Sequence, residues 1–398
     1  MKKELSQNFD YCLLDDAITH KKLKFNYKKN KEQDHTELLD ASANRFDYEQ
    51  CKDSYWNPEK FSLLYGTPLW EQASQSERII LNQLYWVAYY SQIISAEIAT
   101  IFFNQTAAAG LYGIEDFRIA CETLDFESMQ ERAHIDAFKK ISEEVELKLF
   151  GERIFTYPMR PYYYETMIFQ NTNAIKKFWK RLQLQAYSVL SSGNAFIACQ
   201  YLTVRGLRTL NGKIIQHQLS EFYSSLSEEE RLKAPVPSAV SYYHFMDESY
   251  HFNSSNIIGT DLLKLLKTPT SFEKNIANLG IKGTLKDHSN FSTMVNGIFW
   301  YDPATFQAAY RVMRSKIFNF SHAEAIEMLE KCFCKENNGI HESFKTHQVA
   351  LESYRNYLSG IDYLDEYALR GGKMNETSIE KYLIQNTNEL NKFKKKAA

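Results

Sequence analysis

SYYHFMDESYHF, residues 241–252, is the stretch on which the fold of this 398-residue chain turns. It sets His244, Glu248 and His251 at spacings of four and three, so on a helix all three side chains leave one face within a narrow arc. The same i, i+3 spacing joins Glu131 to His134 in ESMQERAHIDAF, residues 127–138. A third stretch, SERIILNQLYWVAYYSQIISAEIATIFFNQTAAAG at 76–110, is apolar nearly all round and predicts a helix buried on most sides. It carries Glu97 midway, and a carboxylate buried there must find a compensating partner.

Working outward, the second helix starts near Glu115 and Asp116 and runs through residue 150, with acids early and lysines late as the helix dipole prefers. YPMRPYYY, residues 157–164, breaks the pattern at Pro158 and Pro161. A third long helix is expected from about Asn173 to a stop at Asn211-Gly212. Pro235 and Pro237 suit the start of a fourth, which holds the opening motif. Four such helices predict an all-α chain with a ferritin-like four-helix bundle core over about 70–266, inside a single domain spanning 65–398. Residues 1–64 read as a polar N-terminal arm or a few short helices, and their basic run HKKLKFNYKKNKEQDH as a solvated face. Beyond Thr268, TPTSFEKNIANLGIKGTLKDHSN reads as a looser region. Helical patterns follow over about 302–336 and 341–369, and Asn375 is a plausible cap for the last. These C-terminal helices suit a packing scaffold, a pocket wall or a dimer contact equally.

In four-helix di-iron proteins two helices each carry Glu-x-x-His and the other two each add a Glu, all aimed into the core. Glu97, Glu131, His134, His244, Glu248 and His251 fill three of those four helices. Imidazole with carboxylate suits iron, with manganese as an alternative at one position; a pair of such ions implies O2 as co-substrate and an external electron donor. The third helix offers no carboxylate in YSVLSSGNAFIACQYLTV, residues 187–204, leaving Asn194, Gln200 or water for that place. Glu165 and Glu221 lie outside its expected span. Glu32 and His35 repeat the motif's spacing in the polar arm and are expected to be coincidence. Asp247 is a candidate to orient a ligand histidine. Arg205 and Arg208 read either as contacts to a substrate carboxylate or as ordinary helix-end arginines.

A formal net charge of -2 gives no reason to expect attraction to nucleic acid or to an anionic membrane. The six cysteines form no Cys-x-x-Cys pair and read as reduced, packed thiols. The first residues lack the apolar stretch of a secretory signal, and no window is apolar enough to span a bilayer, so the cytoplasm is the expected compartment.

With these residues in place, the chain resembles the p-aminobenzoate N-oxygenase family, ferritin-like di-iron enzymes that oxidise an arylamine toward the nitro compound. The resemblance rests on HFMDESYH at 244–251, which fits that family's His-x-x-Asp-Glu-x-x-His helix, on ERAH at 131–134, and on TPLWEQASQSERIILNQLYWVAYYSQIISAE ending at Glu97. It spans roughly residues 65–260. It implies that the six residues named above are iron ligands, and the chain departs from it in having no third-helix Glu. The function expected is O2-dependent oxidation of a small amine. The alternatives are hydroxylation, desaturation or C–C cleavage of an apolar substrate, or a metal-poor binding protein without catalysis. The expected partners are a small-molecule substrate, an electron-transfer protein and a second copy of the chain in a homodimer.

Overall fold

The longest described helix begins at a capping box: Ser74 accepts from the Glu77 backbone N–H, and Glu77 accepts from the Ser74 N–H at 2.7 Å. In this computed structural model, residues 18–155, 174–294, 303–374 and 376–397 are described. They form helices and no strand, so the chain is all-α. In chain order the helices are α1 (Ile18–Glu32), α2 (Thr36–Asn44), α3 (Tyr48–Cys51), α4 (Pro68–Gln72), α5 (Gln75–Tyr112), α6 (Arg118–Phe150), α7 (Ala174–Ser192), α8 (Ala195–Ser224), α9 (Glu228–Lys233) and α10 (Val236–Asn256). There follow α11 (Ser271–Met294), α12 (Pro303–Arg314), α13 (His322–Phe333), α14 (Asn338–Ser359), α15 (Glu366–Leu369) and α16 (Ile379–Ala397).

Four long helices position the site. α5 packs against α6 and α8, α8 against α10, and α10 back against α6. Trp86 ties α5 to α10. Its fully buried indole donates to Ser241 Oγ at 2.9 Å and to the Pro237 carbonyl at 3.2 Å, and its ring meets Trp56, Tyr90 and Phe138. Burying an aromatic of this size stabilises by about 2–3 kcal/mol, and satisfying its N–H removes the penalty that burial would otherwise carry. One turn earlier Asn82 organises the approach to α5. Its amide oxygen accepts from the Trp56 and Asn57 N–H groups, and its amide nitrogen donates to Ser62 Oγ and the Phe61 carbonyl.

Three expectations are corrected. The third long helix is two helices, α7 and α8, divided at Gly193-Asn194, where Asn194 turns extended and its side chain accepts from the Ile197 N–H at 3.1 Å. Gly212 does not end α8, which continues to Ser224. A mid-helix glycine costs about 1 kcal/mol, which the burial of Leu207, Ile215 and Leu219 on either side outweighs. The region read as loose is helix α11. At Gly280 an added Cβ would lie 2.7 Å from Tyr187 Oη, so this glycine marks close packing of α11 on α7 and not a break.

α1 and α2 lie on α6 and α10, burying Leu23, Asn26, Asn30 and Leu39. The segment YPMRPYYY and the cap expected at Asn375 fall outside the described residues; Ser378 Oγ accepts from the Lys381 N–H at the start of α16. No described helix is long and apolar enough to cross a membrane.

Candidate metal centre

The helical spacings converge. Glu97 from α5, Glu131 and His134 from α6, and His244, Glu248 and His251 from α10 are all buried and meet between these three helices. They form two groups whose candidate donor atoms lie within 4.8 Å of one another. Glu97, His134, His244 and Glu248 make one; Glu131, Glu248 and His251 make the other. Glu248 belongs to both. His244 Nε2 is 3.0 Å from Glu97 Oε1, His251 Nδ1 is 2.8 Å from Glu248 Oε1 and 3.3 Å from Glu131 Oε1, and His134 Nδ1 is 3.4 Å from Glu131 Oε2.

Three carboxylates this close repel one another in a site cut off from water. Burial, with Glu131 nearby, holds Glu97 and Glu248 above the usual carboxylate range. Burial also opposes charge on Glu131, but His251 and His134 beside it outweigh this and carry it below that range. Burial works against a proton on His134 and on His251, yet the surrounding acidic groups raise both. His244 is driven down by burial and by His134. The donors therefore hold protons against one another, the arrangement a divalent cation relieves by taking the protons' place.

The rings that present Nδ1 to the cluster are held by Nε2 from behind. His134 Nε2 donates to Asp247 Oδ2 at 3.2 Å, and Asp247 Oδ1 accepts from the His35 backbone N–H at 2.9 Å. Burial would raise the Asp247 carboxyl, but hydrogen bonds from His134 and His35 hold it at about 2. His251 Nε2 donates to Gln130 Oε1 at 2.9 Å. The orientation of the Gln130 amide is in turn fixed, because its nitrogen donates to Asn30 Oδ1 and Asp34 Oδ1 and its oxygen accepts from Asn30 Nδ2. Both supports reach α1 or the turn after it. Outer partners of this kind set the tautomer and aim of a metal-binding imidazole.

Asn194 and Gln200 do not join the cluster. Asn194 caps α8 and donates to Glu273, while Gln200 accepts from Tyr187 and lies against the Ala277 carbonyl. Glu221 is exposed beside His217, and Glu165 is outside the described residues. What α8 directs at the cluster is Arg205, almost wholly buried. Its Nη1 donates to Glu127 Oε2 at 2.7 Å and Asn104 Oδ1 at 2.8 Å, and its Nη2 lies 3.5 Å from Glu131 Oε1. The surface reading of Arg205 is thereby corrected. Glu127, which also accepts from Ser254 Oγ, was not foreseen, although it stands one turn before Glu131 on the same face. His35 reaches Asp247 although Glu32 is exposed and pairs with Lys29, so half of the spacing taken as coincidence touches the site. Asn30, Asp34 and Gln130 carry no sequence signal for their roles. The five described cysteines are unpaired thiols, and none belongs to the cluster.

A cavity of about 70 Å³ opens against the cluster, bounded by Glu97, Glu131 and Glu248, by Arg205 and Arg208, and by Gln92, Gln216, Phe252 and His288. A family profile described as "Acyl halogenase CylC-like" matches residues 18–394. No curated protein and no solved structure matches the chain. The matching family is related to the arylamine N-oxygenases that the chain resembles, but is a different one.

Proposed function

Because this chain belongs to the CylC-like acyl halogenase family, we propose that it is a di-iron oxidative enzyme that uses O2 to replace a C–H bond of an acyl substrate by a carbon–halogen bond. The gathering of three carboxylates and three imidazoles from three helices beside one cavity carries this reading. The donor set fits the metal. It is all oxygen and nitrogen with no thiolate, and it includes one buried carboxylate oxygen without a hydrogen-bond partner, Glu97 Oε2. Glu97, His134 and His244 would hold one ion and Glu131 and His251 the other, with Glu248 within reach of both groups, as the ferritin-like plan requires. Iron at both positions, or manganese at one, would supply the redox chemistry through which donor electrons reach O2.

The overall reaction balances as one C–H bond, one halide, one O2, two electrons from an external donor and three protons giving one carbon–halogen bond and two waters. The chain's own residues then have three tasks. Asp247 and Gln130 keep a proton on Nε2 of His134 and His251, leaving Nδ1 free to ligate. Phe252, Ile93 and Ala96 line the apolar side of the cavity and exclude water from the reacting carbon. Arg205 balances Glu127 and lies beside Glu131 without ligating a cation. A separate protein is the expected electron donor, and the cytoplasm the expected compartment.

Oxygenation of an amine is the second reading, favoured by the His-x-x-Asp-Glu-x-x-His order on α10. Iron-loaded, reduced protein should contain near two irons per chain and consume O2; Glu131→Ala, which removes a donor from one group only, should keep about one iron and lose O2 consumption. Incubated with acyl substrates and chloride or bromide, it should yield products with the halogen isotope pattern. Oxygen on nitrogen in an amine panel, with no halogenated acyl product, would move the assignment to the second reading. A chain that binds no iron would end both.

A further inference from the structure

The metal plan leaves one place in the site with the wrong charge. Where a third-helix carboxylate would stand, α8 supplies Arg205, whose side chain is 2% exposed. Only its Nη1 is committed, to Glu127 and Asn104. Nε has no hydrogen-bond partner, and Nη2 has none either, its nearest carboxylate oxygen being Glu131 Oε1 at 3.5 Å. A buried guanidinium edge with two unused N–H groups is costly unless something accepts from it. That side chain lines the same cavity as Glu97, Glu131 and Glu248.

The charge count points the same way. Two divalent cations against the three carboxylates Glu97, Glu131 and Glu248 leave one positive charge among the ligands, and the Arg205–Glu127 pair adds none. Asp247, ionised behind His134, offsets that charge only from the outer Nε2 edge of the ring and not from the side where Arg205 lies. In a site screened from water such a surplus attracts a small anion strongly.

We propose that the Nε–Nη2 edge of Arg205 seats the halide beside the metal centre, in the position that a third-helix carboxylate would otherwise fill. This rests on the di-metal halogenase reading above. A halide suits the place better than an organic carboxylate. A single spherical acceptor can take both N–H groups at once, it occupies little of a cavity of about 70 Å³, and it leaves the rest for the substrate's reacting carbon. The seat also gives α8 a function that its lack of a carboxylate otherwise leaves unexplained.

The test uses the full chain loaded with zinc, a diamagnetic stand-in at the same ligands, and reads chloride-35 NMR line broadening together with metal content. Wild type should hold two zincs and broaden the chloride signal saturably, with bromide displacing chloride and acetate doing so at least tenfold less well. Arg205→Lys keeps a charge opposite Glu127 but loses the two-N–H edge, and should weaken chloride at least tenfold with metal content unchanged. The double variant Glu127→Gln/Arg205→Gln removes the buried pair together and should do the same if the single change disturbs folding. Two zincs with no excess broadening, equal broadening in these variants, or equal displacement by acetate would overturn the halide seat and leave the metal reading standing. Failure to load zinc or iron would overturn both.

Discussion

Replacing Asp247 by Asn tests whether the imidazoles are aimed from behind. The substitution preserves shape and removes one charge from a fully buried carboxylate that accepts from the His35 N–H at 2.9 Å and from His134 Nε2 at 3.2 Å. An amide cannot accept on both sides. The backbone N–H of His35 is a fixed donor, so the amide oxygen should take that side and turn its NH2 toward His134. His134 Nε2 must then accept, which puts the ring proton on Nδ1, the atom that faces Glu131 and Glu97. A ring in that tautomer cannot ligate. Removal of an outer partner typically weakens metal binding by about 10–100-fold, or about 1.4–2.8 kcal/mol. The tautomer argument places Asp247→Asn at the upper end, for the group containing His134. Competition of cobalt(II) or manganese(II) against a fluorescent chelator, with thermal unfolding of the metal-free variant as control, would measure it. His35→Ala should show a smaller loss, because Asp247 stays ionised. An Asp247→Asn affinity within about threefold of wild type, alongside a Glu248→Ala variant that binds no metal, would refute the reasoning.

Metal stoichiometry should follow the division of ligands: His244→Ala and His251→Ala each retain about one ion per chain, while Glu248→Ala, the residue common to both groups, retains none. Metal analysis after desalting would show it. Gly259→Ala should destabilise by about 3 kcal/mol or more, since its Cβ would lie 2.5 Å from the Thr203 backbone nitrogen and neither α8 nor the turn after α10 can give way as a flexible side chain could; denaturant midpoints would check this. His288, buried near Arg208, is held neutral with its pKa pushed down to about 3. Its folded value lies below the unfolded 6.5, so its contribution is complete above pH 6.5 and is lost as pH falls toward 3, by about 5 kcal/mol at most. His288→Leu should flatten the stability profile across that window relative to wild type. Saturating metal should raise the melting temperature in proportion to the logarithm of its concentration, and a chelator should reverse the shift.

The helical class, the six candidate ligands and their helices were legible in the sequence because each signal is local. An i, i+3 or i, i+4 spacing fixes a helix face wherever that helix ends up, and an apolar stretch carrying one Glu already implies a buried charge. The expectation of a metal site rested on residue chemistry, and the family likeness came near the matched family without reaching it, since a donor motif says which side chains share a helix face and nothing of the substrate. Gly280 misled because a glycine where helices pack closely has the same local appearance as one that ends a helix, and Gly212, with no atom nearer than 3.7 Å to an added Cβ, because the burial that carries α8 past it comes from contacts distant in the chain. The roles of Arg205, His35, Asn30 and Gln130 were set only by the tertiary structure. Asn30 meets Gln130 across 100 positions and His35 meets Asp247 across 212, and hydrogen bonds over such separations leave no periodic trace in the chain. Arg205 shows the limit most plainly: its spacing resembles that of a helix-end cation, and only the packing of α8 against α5 and α10 removes it from water and brings it to the cavity wall with two N–H groups unpaired.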